Sequence, residues 1–128
     1  MADAVVEGAR SVRGVSVEMQ VDSDVSPESL TGFDAIGVGV PTYHHDMTVS
    51  TKTLFEECAV KNINLKDKVG AAFGSYGWSG EAPRLVLEIM KNKFGMNIVE
   101  PPLLVKYTPD NAALEKCRDL GSTVAKRL

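Results

Sequence analysis

The chain is poor in the features that mark several large protein classes. It has two cysteines in 128 residues, Cys58 and Cys117, with no CxxC spacing and no disulfide framework. Disulfide scaffolding and a zinc ribbon are therefore excluded, and both thiols read as small buried side chains of a reducing compartment. No apolar run approaches the ~20 residues that a membrane-spanning helix needs. The opening Met1-Ala2-Asp3-Ala4 has no basic stretch ahead of an apolar one, so no secretory signal is read there. The expected location is cytoplasmic. Basic residues are outnumbered, 14 against 17 acidic, for a net charge of −3, and no Lys/Arg stripe forms. That argues against nucleic acid and against an anionic membrane as partners. Aromatics are scarce, at 6% of residues, which gives weight to where they fall.

What is present is the punctuation of one α/β domain spanning residues 1–128. The spacing of Ala2, Val5, Val6, Ala9 and Val12 predicts a helix over residues 1–13, closed by Gly14. Residues 15–21 alternate Val15, Val17, Met19 and Val21 with polar residues, the pattern of a strand near a sheet edge. Ser26-Pro27-Glu28 opens a short helical turn. Ala35–Val40 and Val69–Gly74 are continuous apolar runs, expected as strands covered on both faces. In each, bulky residues alternate with Gly or Ala. Between and after them lie a helix over residues 48–61 and another capped by Ser79, with Ala82, Leu85, Val86, Ile89 and Met90 turned inward. A strand over Leu103–Tyr107 and a last helix carrying Ala113, Cys117, Leu120 and Val124 complete the order. Strands alternating with helices predict a parallel sheet between two helical layers.

Ligands of such sheets bind at the carboxyl ends of the strands. Two loops lie there: Pro41-Thr42-Tyr43-His44-His45-Asp46 and Ser75-Tyr76-Gly77-Trp78-Ser79-Gly80-Glu81. The only Trp and two of the three Tyr fall on them, flanked by glycines that let a backbone approach a ligand closely. Aromatic faces with main-chain donors and acceptors suit a flat heterocycle with a polar rim; the competing reading is that Tyr76 and Trp78 plug the end of the core. His44-His45-Asp46 does not make a metal site, because adjacent loop residues rarely converge on one ion and no second cluster completes the set. No Ser–His–Asp order, nucleophile elbow, paired carboxylates, Walker sequence or GxGxxG is found. No catalytic residue is assigned.

Gly39-Val40-Pro41-Thr42-Tyr43 and Phe73-Gly74-Ser75-Tyr76-Gly77-Trp78-Ser79-Gly80-Glu81 resemble the flavodoxin superfamily, and most of all the flavodoxin domains of flavodiiron proteins and their stand-alone relatives. The resemblance implies a flavodoxin-like three-layer parallel sandwich with FMN as cofactor. It implies that the flavin ring sits between the two loops, with Pro41, Thr42, Tyr43, His44, Ser75, Tyr76, Gly77, Trp78, Gly80 and Glu81 as the cofactor-binding set. The family often carries Asn where His44 or His45 stands.

The resemblance also implies a gap. Flavodoxins begin with a central strand and a loop of the form [ST]-x-[TY]-G-x-[ST] that cradles the phosphate, whereas residues 1–9 here match the middle of the family's first helix. Met1 is accordingly expected to be an internal methionine of the family pattern, and FMN to bind weakly. Without the central strand, Val15–Val21 is expected to slide beside Ala35–Val40 to give four strands, with a homodimer as accompaniment. The implied role is an electron carrier serving redox partner proteins. A cofactor-free domain used in binding or assembly is the alternative, and a flavin-dependent reductase with its own substrate a third reading. Flavodiiron proteins add a metal domain that this chain does not contain, so oxygen or nitric oxide reduction by the chain alone is not expected.

Overall fold

A computed structural model describes residues 1–128. The elements are α1 (Ala2–Arg10), β1 (Ala35–Gly39), α2 (Val49–Val60), β2 (Val69–Tyr76), α3 (Glu81–Asn92), β3 (Asn97–Ile98), β4 (Leu103–Lys106) and α4 (Asn111–Lys126), with short 3-10 turns at Asp22–Asp24 and Pro27–Gly32. All strand pairs are parallel. β2 is central: β1 pairs along one side, and β3 and β4 pair in turn along the other. The sheet is thus three strands wide, its third strand interrupted where Pro101 and Pro102 offer no N–H to a ladder.

The alternation within each apolar run sorts side chains to two cores. Val40, Ala72, Val86, Leu87 and Met90 join Phe55 and Leu65 beneath α2 and α3, while Val69, Ala71, Phe73 and Leu120 form a smaller core on the α1 and α4 side. α1 and α4 meet backbone to backbone. A Cβ on Gly8 would stand 1.9 Å from the Arg118 carbonyl oxygen, and one on Gly121 1.9 Å from that of Val5. Each helix therefore needs a residue without a side chain at the crossing. Asp110 starts α4 by accepting from the Ala113 N–H at 2.8 Å. Cys58 and Cys117 are buried and free, and burial pushes both thiols up from their ordinary pKa.

Three expectations are corrected. Val15–Val21 is not a strand and has not slid beside β1. It runs without a ladder, leaving Met19 and Val21 exposed, because its alternating pattern is competent to pair but finds no neighbouring strand within reach. β1 is not covered on both faces along its length: it is an edge strand with Gly37 and Gly39 exposed, in contrast to β2, whose first six residues are all buried. And Ser79 does not cap α3, which begins one residue later, after Gly80.

Candidate functional site

β1 and β2 end side by side, so the loops that follow them emerge together at the carboxyl end of the sheet. The first is a tight turn closed by reciprocal bonds, Tyr43 N–H to Asp46 O and Asp46 N–H to Tyr43 O, each 2.9 Å. His44 (φ 49°) and His45 (φ 63°) occupy its two central positions in the left-handed region, as a type I′ turn demands. Asn tolerates that backbone better than most residues, which gives a physical reason for the family's Asn in this loop. Asp46 braces the turn's exit, accepting from the Met47 N–H at 2.7 Å and pairing with Lys52. Lys52, ahead of every other influence, holds the Asp46 carboxyl below its usual range.

The two loops are fastened to each other. Thr42 Oγ1 accepts from the Ala82 N–H at 3.0 Å, so a residue of the first loop satisfies an orphan amide in the first turn of α3, which has no local side-chain cap. His45 Nδ1 lies 2.9 Å from Glu81 Oε1, and its ring lies 5.3 Å from that of Trp78, tilted at 55°. The His45 contact first, and the Ser79 hydroxyl next, hold the Glu81 carboxyl below its ordinary pKa. The other carboxylate oxygen, Oε2, is buried with no hydrogen-bond partner of good geometry, Ser79 included, even though 42% of the side chain is exposed.

A third loop joins them. β4 ends at the same edge, and the Tyr107 N–H donates to the Tyr76 carbonyl at 2.6 Å. Tyr107 sits at φ 60° with its ring edge 3.8 Å from where a Cβ on Gly77 would be. The result is an end surface on which Tyr43, Trp78 and Tyr107 are exposed at 61%, 88% and 66%. Tyr76 is half-buried, with Gly80 beneath its ring. The plug reading of Trp78 is thereby excluded, since a core plug is not nine-tenths exposed.

Of the ten candidate residues, all lie on this end surface or its supports. Thr42 and Glu81 are engaged in fastening the loops, and Gly80 in seating Tyr76. Tyr43, Gly77 and Trp78 present free surface, as do the exposed Pro41 and His44; Ser75 is half-buried. Two residues outside the ten belong with them. His45 makes the inter-loop contacts, and Tyr107 was legible only as the residue following a third strand at the same sheet end. No group of three His, Cys, Asp or Glu side chains is placed to hold a metal, and no helix is long and apolar enough to cross a membrane.

Comparison with known proteins agrees with this geometry. The flavodoxin family profile matches residues 1–121. The chain is 38% identical to the type A flavoprotein fprA of Rhodobacter capsulatus over all of its own length and 30% of that protein's. It is 31% identical to a nitric oxide reductase of Moorella thermoacetica, again over its whole length and 31% of the relative's. The chain therefore spans about a third of these relatives. A solved flavodoxin from the domain Archaea superposes with a TM-score of 0.89 at 36% identity, covering 98% of this chain and 86% of that one. Sheet order, loop placement and sequence converge on one assignment: the chain belongs to the flavodoxin family, as a domain of the kind found in the flavodiiron, or A-type, flavoproteins.

Proposed function

We propose that this domain holds FMN by its ring at the end of the sheet and carries electrons between partner proteins. The observation that carries the reading is the fastening of the first two loops by the Thr42–Ala82 and His45–Glu81 bonds beneath exposed aromatic side chains. Such an end surface is held in shape before any ligand arrives, which reduces the ordering cost of binding.

FMN, when bound, supplies reversible one- and two-electron transfer. The chain's own residues do the rest. Tyr43, Trp78 and the newly recognised Tyr107 offer faces and edges for a flat ring. The peptide groups around Gly77, unshielded by a side chain, serve the ring's polar rim, and Pro41, His44, Ser75 and Tyr76 complete the surround. Thr42 and Glu81 act one step back, keeping the loops together. Glu81 also leaves a buried, unpartnered oxygen at the base of the second loop, a site for one further donor from a ligand.

Binding of the phosphate is a different matter. The first turn of α1 is Ala2-Asp3-Ala4-Val5, with no Ser, Thr or Gly and an acid in place, the opposite of what a phosphate dianion requires. Within residues 1–128 the contacts to FMN therefore come from the ring loops. Titration with FMN and with riboflavin, following flavin fluorescence, tests this: the two affinities should agree within about threefold, whereas charge-assisted phosphate bonds at ~1.5–3 kcal/mol each would separate them by orders of magnitude. A strong preference for FMN would overturn the phosphate argument. Binding of neither would favour the second reading, a cofactor-free domain used in assembly, which the open edge of β1 supports.

A further inference from the structure

The loops at the end of the sheet are not held equally. The turn from Tyr43 to Asp46 is closed by its two reciprocal backbone bonds, and the Asp46–Lys52 pair braces its exit. In the loop after β2, by contrast, Gly77, Trp78 and Ser79 make no backbone hydrogen bond at all. Glycines at 77 and 80 add freedom on either side. Trp78, the chain's single tryptophan, is 88% exposed and has one aromatic neighbour, the ring of His45 at 5.3 Å. An indole so exposed, on a backbone so lightly tied, ordinarily changes rotamer within nanoseconds.

His45 is itself fixed from two directions. Its backbone belongs to the closed turn, at φ 63°, and its Nδ1 lies 2.9 Å from Glu81 Oε1. An ionised carboxyl only accepts, so Nδ1 carries the hydrogen of this bond. Glu81 stands in the first turn of α3. The imidazole thus spans from a braced turn to a helix, and the indole lies against a ring that is tied at both ends. The stiff first loop gives the soft second loop its frame.

We infer that His45 is a positioning residue: gripped at Nδ1 by Glu81, it backs the indole of Trp78 and sets the angle at which that face meets a planar ligand. The inference rests on the ring-binding reading above and deepens it, separating the residue that touches the ring from the one that aims it. An indole already aimed has less freedom to lose on binding, a gain of about 2- to 10-fold in affinity for one side chain.

The test begins with the chain without ligand. Time-resolved anisotropy of Trp78 should follow overall tumbling in the parent and gain a sub-nanosecond component in His45→Asn. Asn accepts the left-handed backbone of this position, so the urea midpoint should hold while the ring contact is lost. Glu81→Ala should free the indole in the same way although His45 is untouched. Glu81→Gln, which keeps an acceptor for Nδ1, should restore the parent's decay. With riboflavin as probe, His45→Asn should weaken binding by about 2- to 10-fold in the parent and no further in a Trp78→Ala background, since a residue that aims Trp78 has no effect once the indole is gone. Equal mobility of Trp78 in the parent and in His45→Asn overturns the inference, as does a loss of riboflavin affinity of the same size in both backgrounds. If the parent binds no riboflavin, the ring-binding reading falls, and the anisotropy by itself decides for or against His45.

Discussion

His45 and Glu81, 36 residues apart in the chain, meet at 2.9 Å and join the loops that follow two neighbouring strands. Because the Glu81 carboxyl is held below its ordinary pKa by this contact, its contribution is fully present above the usual carboxylate range and is lost as pH falls through the lowered value. Trp78, packed against the His45 ring, reports on it. Trp78 fluorescence should change on acidification at a pH below that of an ordinary Glu, and Glu81→Gln should abolish that step. A step surviving in Glu81→Gln would assign it elsewhere.

Thr42 supplies the cap that α3 lacks locally. Thr42→Val should cost about 0.5–2 kcal/mol in urea unfolding, and Thr42→Ser much less, since the hydroxyl rather than the methyl serves the Ala82 amide. Equal losses in the two variants would contradict the capping role.

Glycine substitutions should divide sharply by position. Gly8→Ala and Gly121→Ala each drive a methyl into the facing helix backbone and should lose about 1–3 kcal/mol despite alanine's better helix propensity. Gly37→Ala points into open space and should stay within about 0.5 kcal/mol of the parent. Thermal or denaturant unfolding of the three variants decides it.

Trp78→Ala should leave stability almost unchanged, because the side chain is 88% exposed. If the ring site is used as proposed, flavin affinity should fall by about 3- to 10-fold, the value of one aromatic stacking partner. A loss of stability without a loss of flavin binding would reverse the assignment of this residue from ligand contact to packing.

The sequence was legible wherever burial enforced a pattern. The apolar runs of β1 and β2, with bulky side chains alternating against Gly and Ala, predict both the strands and the two faces on which the cores divide. The loops were legible because glycines and aromatics cluster at strand ends. What escaped was non-local. Val15–Val21 has a strand's alternation, but a strand is made by its neighbour, and none is present. Ser79 has a cap residue's chemistry, yet the cap came from Thr42, 40 residues from its partner. Asn97–Ile98 is a strand only through its pairing with Val69 and Gly70. Tyr107 enters the site because β4 ends beside β2, a fact of topology rather than of composition.

The crossing of Gly8 over Gly121 also sets the order in which the molecule can assemble. Within residues 1–128, α1 is the first element and its packing partner α4 the last. The sheet core under α2 and α3 is built of segments nearer to one another in the chain, whereas the second core needs the two ends of the domain to meet. Contacts between such distant segments carry the largest loop-closure cost and form late. Docking of α4 onto α1 is therefore the long-range step that completes the second core.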